Sequence, residues 1–177
     1  MALTVKPSKI HGKGLFTTDH IPQHAVVCEV GVVRQVTPSA PLDPASGEMF
    51  HHCRWLPDGT QLLIDEPYCY MNHCCDPSTF YYTVNRHPYL VSTRQLDPGD
   101  EITTNYCYAN AGHPEPVEEE MWHCSCGSPN CRGTFQFGFR YMDALDQASA
   151  LPYIDPMFAG HEADLVEKAI RSQLASR

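Results

Sequence analysis

The sequence predicts a mainly β protein of short strands with a helical extension at its C-terminus. Three observations carry this. Eleven glycines and fifteen prolines are spread along the whole chain of 177 residues, and such dense punctuation favours many short strands over long helices. β-Branched and aromatic residues gather in short runs between the breaks. Residues 161–177, by contrast, carry apolar side chains at helical spacing.

The elements follow in order. Ala25–Val33 (AVVCEVGVV) is rich in valine and reads as the first strand, Leu62–Ile64 as a second and Tyr89–Thr93 as a third. Between the first two, the Pro- and Ser-containing stretch Thr37–Gly47 reads as a loop. Leu96–Glu101 (LDPGDE) is a turn, in which Pro98 pre-sets its own φ and Gly99 supplies a positive φ. It feeds a further strand, Ile102–Tyr106. Ala109–Glu120 is rich in Gly, Pro and Glu and should be exposed. In the tail, Ala163, Leu165, Val166, Ala169, Ile170 and Leu174 form one apolar face with charges between, which predicts an amphipathic helix packed on the β body.

Composition narrows the function classes. Hydrophobic residues are 42% and charged residues 19%, a globular balance rather than a disordered one. No run approaches the roughly 20 apolar residues that span a bilayer. The opening MALTVKPSKIHGKGLFTT lacks the apolar core of a secretory signal, so an intracellular protein (cytoplasmic, or nuclear in a eukaryote) is expected. A net charge of -9 argues against a nucleic-acid backbone as primary partner and for a basic ligand or peptide. The acidic run Glu118–Glu120, with Glu115, reads as a solvated loop.

The unusual figure is nine cysteines. An odd count without an export signal points to reduced thiols, and so to metal ligands or core packing before disulfides. Cys124, Cys126 and Cys131 form C-x-C-x4-C around a Gly-Ser-Pro-Asn turn. Three thiolates so spaced can wrap one face of a tetrahedral zinc ion, leaving a fourth position to be filled from elsewhere. Cys74–Cys75 is the main donor, with His123 and Cys107 as further candidates. Four ligands would close the coordination sphere, so the site is predicted to be structural. Cys28, Cys53, Cys69 and Cys107 read as small buried hydrophobes.

A second constellation, Met71-Asn72-His73-Cys74-Cys75-Asp76-Pro77, sets an amide, an imidazole and thiols side by side. Adjacent Cys and His rarely face each other as nucleophile and base, which disfavours a thiol hydrolase. Four pieces occur in order: Gly12-Lys13-Gly14-Leu15-Phe16; Asn72 to Pro77; Gly99-Asp100-Glu101-Ile102 running to Asn105-Tyr106; and the cysteine cluster closing on Arg132-Gly133. Together they resemble the SET-domain lysine methyltransferases with a post-SET zinc segment, whose patterns are G-x-G-L-F, N-H-S-C-x-P-N, G-E-E-L-T-x-D-Y and C-x-C-G-x3-C-R-G. The resemblance covers roughly residues 4 to 137. It implies a β-clip-like SET fold of short sheets with a knot-like crossing. Residues 4–110 would form the SET domain, 111–137 the post-SET zinc segment and 138–177 the helical extension.

The resemblance further implies an S-adenosylmethionine-dependent protein-lysine N-methyltransferase with one structural zinc. Lys13, Gly14, Leu15, Asn72, His73 and Phe135 would bind the cofactor, Tyr106 would be catalytic, and Cys75 would complete the zinc site with Cys124, Cys126 and Cys131. Phe135 would cover the adenine or the lysine channel, with Trp122 as a similar candidate. Tyr70, Tyr81, Tyr82 and Tyr108 are candidates for the channel walls. The substrate would be a basic protein or peptide, histone or not. The chain departs from the family patterns at Cys69, Cys74, Ser78, Thr104 and Asn105. Those departures would also suit a SET-like zinc-containing binding module without catalysis, or an enzyme of small-molecule amines.

Overall fold

The structure, a computed structural model, describes residues 2–56, 58–109 and 121–158. The predicted helix over 161–177 and the acidic run lie outside these residues. Among the described residues the strands are β1 (Leu3–Pro7), β2 (Lys13–Thr17), β3 (Val26–Glu29), β4 (Val32–Val36), β5 (Cys53–Trp55), β6 (Gln61–Ile64), β7 (Asn72–His73), β8 (Thr79–Val84), β9 (His87–Ser92), β10 (Glu101–Thr104), β11 (Trp122–His123) and β12 (Thr134–Phe135). Besides helices α1 (Tyr106–Ala109) and α2 (Ala144–Ala150) there are short 3-10 turns, among them Phe50–His52 and Tyr68–Tyr70. The strands form four small sheets, ordered β1-β2-β10-β7, β3-β9-β8, β4-β6-β5 and β11-β12. Short strands in small sheets are what the dense Gly and Pro punctuation predicts.

One core gathers the strand interiors, including Leu15, Ile21, Leu56, Leu90, Leu96 and Ile102, each fully buried. A second gathers Cys107, Phe135, Phe139, Met142, Ala150, Ile154 and Phe158 around the segment that follows the cysteine cluster. Between them lies a buried ion pair: Arg54 on β5 meets Asp155 at 2.5 Å, with both side chains 2% exposed. The Asp155 carboxylate also accepts from the Thr83 backbone N–H at 3.1 Å, the Thr83 hydroxyl and the Met157 N–H at 3.2 Å. The Arg54 guanidinium lies 4.2 Å over the Tyr81 ring.

Two local expectations are corrected. Ala25–Val33 is two strands in different sheets, broken at Val30-Gly31. There the Val30 N–H turns to Pro88 O while Gly31 O accepts from Asp65, and a Cβ on Gly31 would press on Asp65 at 3.1 Å. Ile102–Tyr106 ends as a strand at Thr104; the Asn105 side chain accepts from the Cys107 N–H at 2.9 Å, and Tyr106 opens a helical turn instead. Helix α2 lies within the extension expected to be helical, 138–177, but before the periodic stretch 161–177. It is capped by Asp143, whose carboxylate accepts from the N–H groups of Leu145 and Asp146.

Candidate active site

Strand β10 is the pivot of the site. It pairs antiparallel with β2 on one edge (Ile102 opposite Leu15) and parallel with β7 on the other (Thr103 with Asn72, Thr104 with His73). The two-residue β7 cannot hold itself, and its side chains supply what its length does not. The Asn72 amide donates to His11 O at 3.2 Å, Lys13 O at 2.9 Å and the Glu101 carboxylate at 2.8 Å. Ser8 Oγ donates to the same carboxylate at 2.8 Å. A Cβ on Gly14 would crowd this carboxylate and displace it from Asn72 and Ser8. Gly14 and Asn72 are thus part of one internal brace. The Leu15 side chain is fully buried in the core, so any contact of this residue with a cofactor would be through its backbone. Lys13 is exposed, with its ammonium 4.8 Å over the Tyr70 ring.

Tyr106 sits where β10 gives way to α1. Its N–H donates to His73 Nδ1 at 3.1 Å and its hydroxyl donates to Met71 O at 2.5 Å. The hydroxyl lone pairs are thereby left to accept from a ligand. Burial, then the neighbouring Tyr81 and Glu101, raise its pKa, so the phenol stays neutral. His73 is held neutral as well: burial, then the charge of Arg132, bring its pKa down to about 3. Its ring stacks on Phe135 at 3.9 Å and 17°, while Tyr106 stacks on Phe137 at 5.6 Å and 15°.

A narrow cavity of about 40 Å³ opens beside Tyr106. Among its lining residues Met71, Tyr81 and Thr104 are buried, Tyr106 and His52 half-buried, and Phe50 and His51 exposed. The Thr104 hydroxyl is buried without a partner there. Of the four tyrosines proposed as walls, Tyr81 lines the cavity. Tyr82 points to the other face of β8 and is 42% exposed, Tyr70 lies under Lys13 outside the lining, and the Tyr108 side chain is outside the described residues. Sequence reasoning missed Tyr68 and Phe137 on the walls. The alternation Phe135-Gln136-Phe137 was the available signal for the second. It also missed that Cys53 and Cys69, read as core thiols, face this cavity half-buried. Trp122 is not in the lining; it packs edge-on against His51 at 4.9 Å and Phe137 at 5.4 Å.

On the far side of His73, the sulfurs of Cys75, Cys124, Cys126 and Cys131 all lie within 4.8 Å of one another. The Cys75 and Cys124 sulfurs are 3.8 Å apart. Zinc–thiolate bonds of about 2.3 Å in a tetrahedron set ligand sulfurs about 3.8 Å apart, so the set fits a four-thiolate zinc ion. Burial opposes ionisation of Cys126, yet backbone N–H groups of Cys75 and Ser128, with the Cys124 and Cys131 thiols, lower its pKa to about 7. One sulfur is therefore ready to bind metal near neutrality. Cys74, His123 and Cys107 fall outside the quartet. The Cys74 thiol donates to Asp76 O at 3.1 Å, and Cys107 is buried with Arg132 3.8 Å from its sulfur.

A β10 strand clasped between β2 and β7, with a tyrosine delivered at its end, defines a SET-type fold. The solved structure described as KRYPTONITE in complex with mCHG DNA and SAH shares it at a TM-score of 0.54, with 23% identity over 75% of this chain and 28% of that one. The family profile of the SET domain matches residues 12–107, more than half of the sequence, and the chain belongs to the SET-domain family. Relatives include the human histone-lysine N-methyltransferase SETD1B, 30% identical over 72% of this chain, and trithorax of Drosophila melanogaster, a histone-lysine N-methyltransferase 27% identical over 71% of it. The chain spans only 7% and 3% of those two proteins. No helix among the described residues is long and apolar enough to cross a membrane.

Proposed function

We propose that the chain is an S-adenosylmethionine-dependent N-methyltransferase of lysine side chains in a basic protein or peptide. The observation that carries this is the Tyr106 hydroxyl, fixed on Met71 O in the wall of a narrow, mainly aromatic cavity beside Asn72-His73. The bound cofactor would supply an electrophilic methyl group on a sulfonium. Lys13 and the surface built by Gly14, Asn72, His73 and Phe135 would hold it.

The remaining steps belong to the chain's own residues. Removal from water in the cavity favours the neutral amine over the ammonium, whose ordinary pKa is about 10.4. The Tyr106 oxygen, its proton committed to Met71, accepts a hydrogen bond from the amine and aims its lone pair. The tyrosine and the nearby carbonyl dipole form a fixed polar frame, which needs no reorganisation as charge moves. Cys75, Cys124, Cys126 and Cys131 would hold a structural zinc that ties the segment bearing Phe135 and Phe137 to β7. In this reading the chain divides into a SET domain (4–110), a zinc segment (111–137) and an extension (138–177). The net charge of -9 suits a basic substrate, and the names of the relatives favour a histone-like one.

Calorimetry with S-adenosylmethionine, followed by label transfer to a mixture of basic proteins, tests the proposal. Binding and transfer are expected. A zinc-loaded protein that binds no cofactor would refute it.

A further inference from the structure

Both nitrogens of the His73 ring are engaged, and their partners fix where the ring proton sits. Nδ1 accepts from the Tyr106 backbone N–H at 3.1 Å. A nitrogen that faces a donor at this distance carries no proton, so the ring is neither the imidazolium nor the Nδ1–H tautomer. Its one proton is therefore on Nε2. That nitrogen lies 3.6 Å from the Cys75 sulfur, within the reach of an N–H···S hydrogen bond. The ring plane is fixed as well: one face stacks on Phe135 at 3.9 Å and 17°, and the Tyr106 ring meets it at 5.4 Å and 63°. Flipping the imidazole would put carbons in place of both nitrogens and break both hydrogen bonds.

The two edges of this ring face different parts of the molecule. Cys75 is one corner of the four-sulfur set, and Phe135 follows the other three sulfurs along the chain. His73 thus touches the metal site twice, through the Cys75 sulfur and through Phe135. A metal-bound thiolate is an anion and a stronger acceptor than a thiol, so occupation of the site strengthens the bond from Nε2–H. On the opposite edge, Tyr106 opens α1, where backbone N–H groups have no partner within the helix. His73 Nδ1 is the acceptor that this N–H finds.

We propose that His73 is a positioning residue that couples the zinc site to Tyr106: its Nε2–H donates to the metal-bound Cys75 thiolate while its Nδ1 holds the Tyr106 N–H. The inference rests on the zinc site proposed above and not on methyl transfer. Both nitrogens are spent in this arrangement, so the side chain has no hydrogen bond left for a cofactor. Any contact of His73 with S-adenosylmethionine would use its backbone or its free ring face. Two substitutions separate the two bonds. The side-chain oxygen introduced by His73→Asn falls at the place of Nδ1, and nothing then reaches the sulfur. The amide nitrogen introduced by His73→Gln falls at the place of Nε2, and nothing then accepts from Tyr106.

The test combines NMR of the metal-loaded chain, carrying isotope-labelled histidine, with two rates measured in wild type, His73→Asn and His73→Gln. In wild type, His73 should show a protonated Nε2 and an unprotonated Nδ1. Its Nε2 proton should show scalar coupling to a magnetic cadmium isotope placed in the site. Zinc release to a chelator should quicken about 10–100-fold in His73→Asn and stay within about threefold of wild type in His73→Gln. Exchange of the Tyr106 amide proton should show the reverse order, about tenfold or more faster in His73→Gln and near wild type in His73→Asn. A proton on Nδ1, an Nε2 proton uncoupled from cadmium, or the same change of both rates in both variants overturns the assignment. The wild-type spectra decide it even where a variant does not fold. Wild type that holds no metal by elemental analysis overturns the zinc site and this coupling with it.

Discussion

Removing the Asp155 carboxylate tests the tie between the C-terminal segment and the β body. Asp155→Ala would leave the Arg54 guanidinium, 2% exposed, without its anion, and would strip the Thr83 N–H and hydroxyl of their acceptor. Breaking a buried pair by removing one partner costs about 3–5 kcal/mol, because the remaining charge is uncompensated. For a chain of this size each kcal/mol lowers the melting temperature by about 2–4 °C. The expected fall is therefore about 6–20 °C in a thermal melt followed by circular dichroism. The double variant Arg54→Met/Asp155→Leu, which removes both charges, should recover most of it. A fall under about 2 °C for the single variant would refute the reasoning, since it would mean that the pair is hydrated or not formed.

Further outcomes follow from other sites. Chelation of metal, or Cys126→Ser, should abolish methyl transfer and expose 121–135 to protease, because zinc binding supplies about 10–16 kcal/mol of folding energy in small modules; elemental analysis should find one zinc per chain. Asn105→Ala should cost about 1 kcal/mol by uncapping α1, and Asn105→Asp, which keeps the acceptor for Cys107 N–H but buries a charge, should be less stable at neutral than at acid pH in a urea melt. Burial raises the pKa of Cys28, Cys53, Cys69 and Cys107 from 9.0 to about 11. A raised folded pKa gives stability that is whole below the unfolded value and lost as pH rises through the folded one. The urea midpoint should therefore fall between pH 9 and 11, and less steeply in Cys107→Val.

The legible parts of this molecule were those written in local pattern. The C-x-C-x4-C spacing is a short-range code, while Cys75, 49 positions before Cys124, was singled out by the family resemblance, and the four sulfurs do converge. The Leu96–Glu101 turn and the strands around Leu62–Ile64 and Tyr89–Thr93 were read from Pro, Gly and β-branched residues. What escaped depended on partners far away in sequence. Valine content joined Ala25 to Val33, but the backbone pairs of Val30 and Gly31 lie with Pro88 and Asp65 in different sheets. The Arg54–Asp155 pair spans 101 positions and leaves no periodic trace. The packing role of the Gly12–Phe16 motif was equally hidden: the Leu15 side chain lies in the core and Gly14 lies against Glu101, far along the chain. The cavity walls were half legible for the same reason: Tyr81 was named among several tyrosines, but nothing in the local pattern around Tyr68 or His52 points toward Tyr106.

The central claim is that the Tyr106 cavity methylates a lysine. Its most direct test is tandem mass spectrometry of a basic protein incubated with zinc-loaded enzyme and S-adenosylmethionine, run in parallel with Tyr106→Phe. The account predicts a methyl mass increment on lysine Nε with wild type. It predicts a rate about 10²–10³-fold lower in the variant at unchanged cofactor affinity, the scale of losing one fixed polar group at the reacting centre. Methylation by Tyr106→Phe at the wild-type rate, or cofactor-bound wild type that leaves every lysine unmodified, would contradict it.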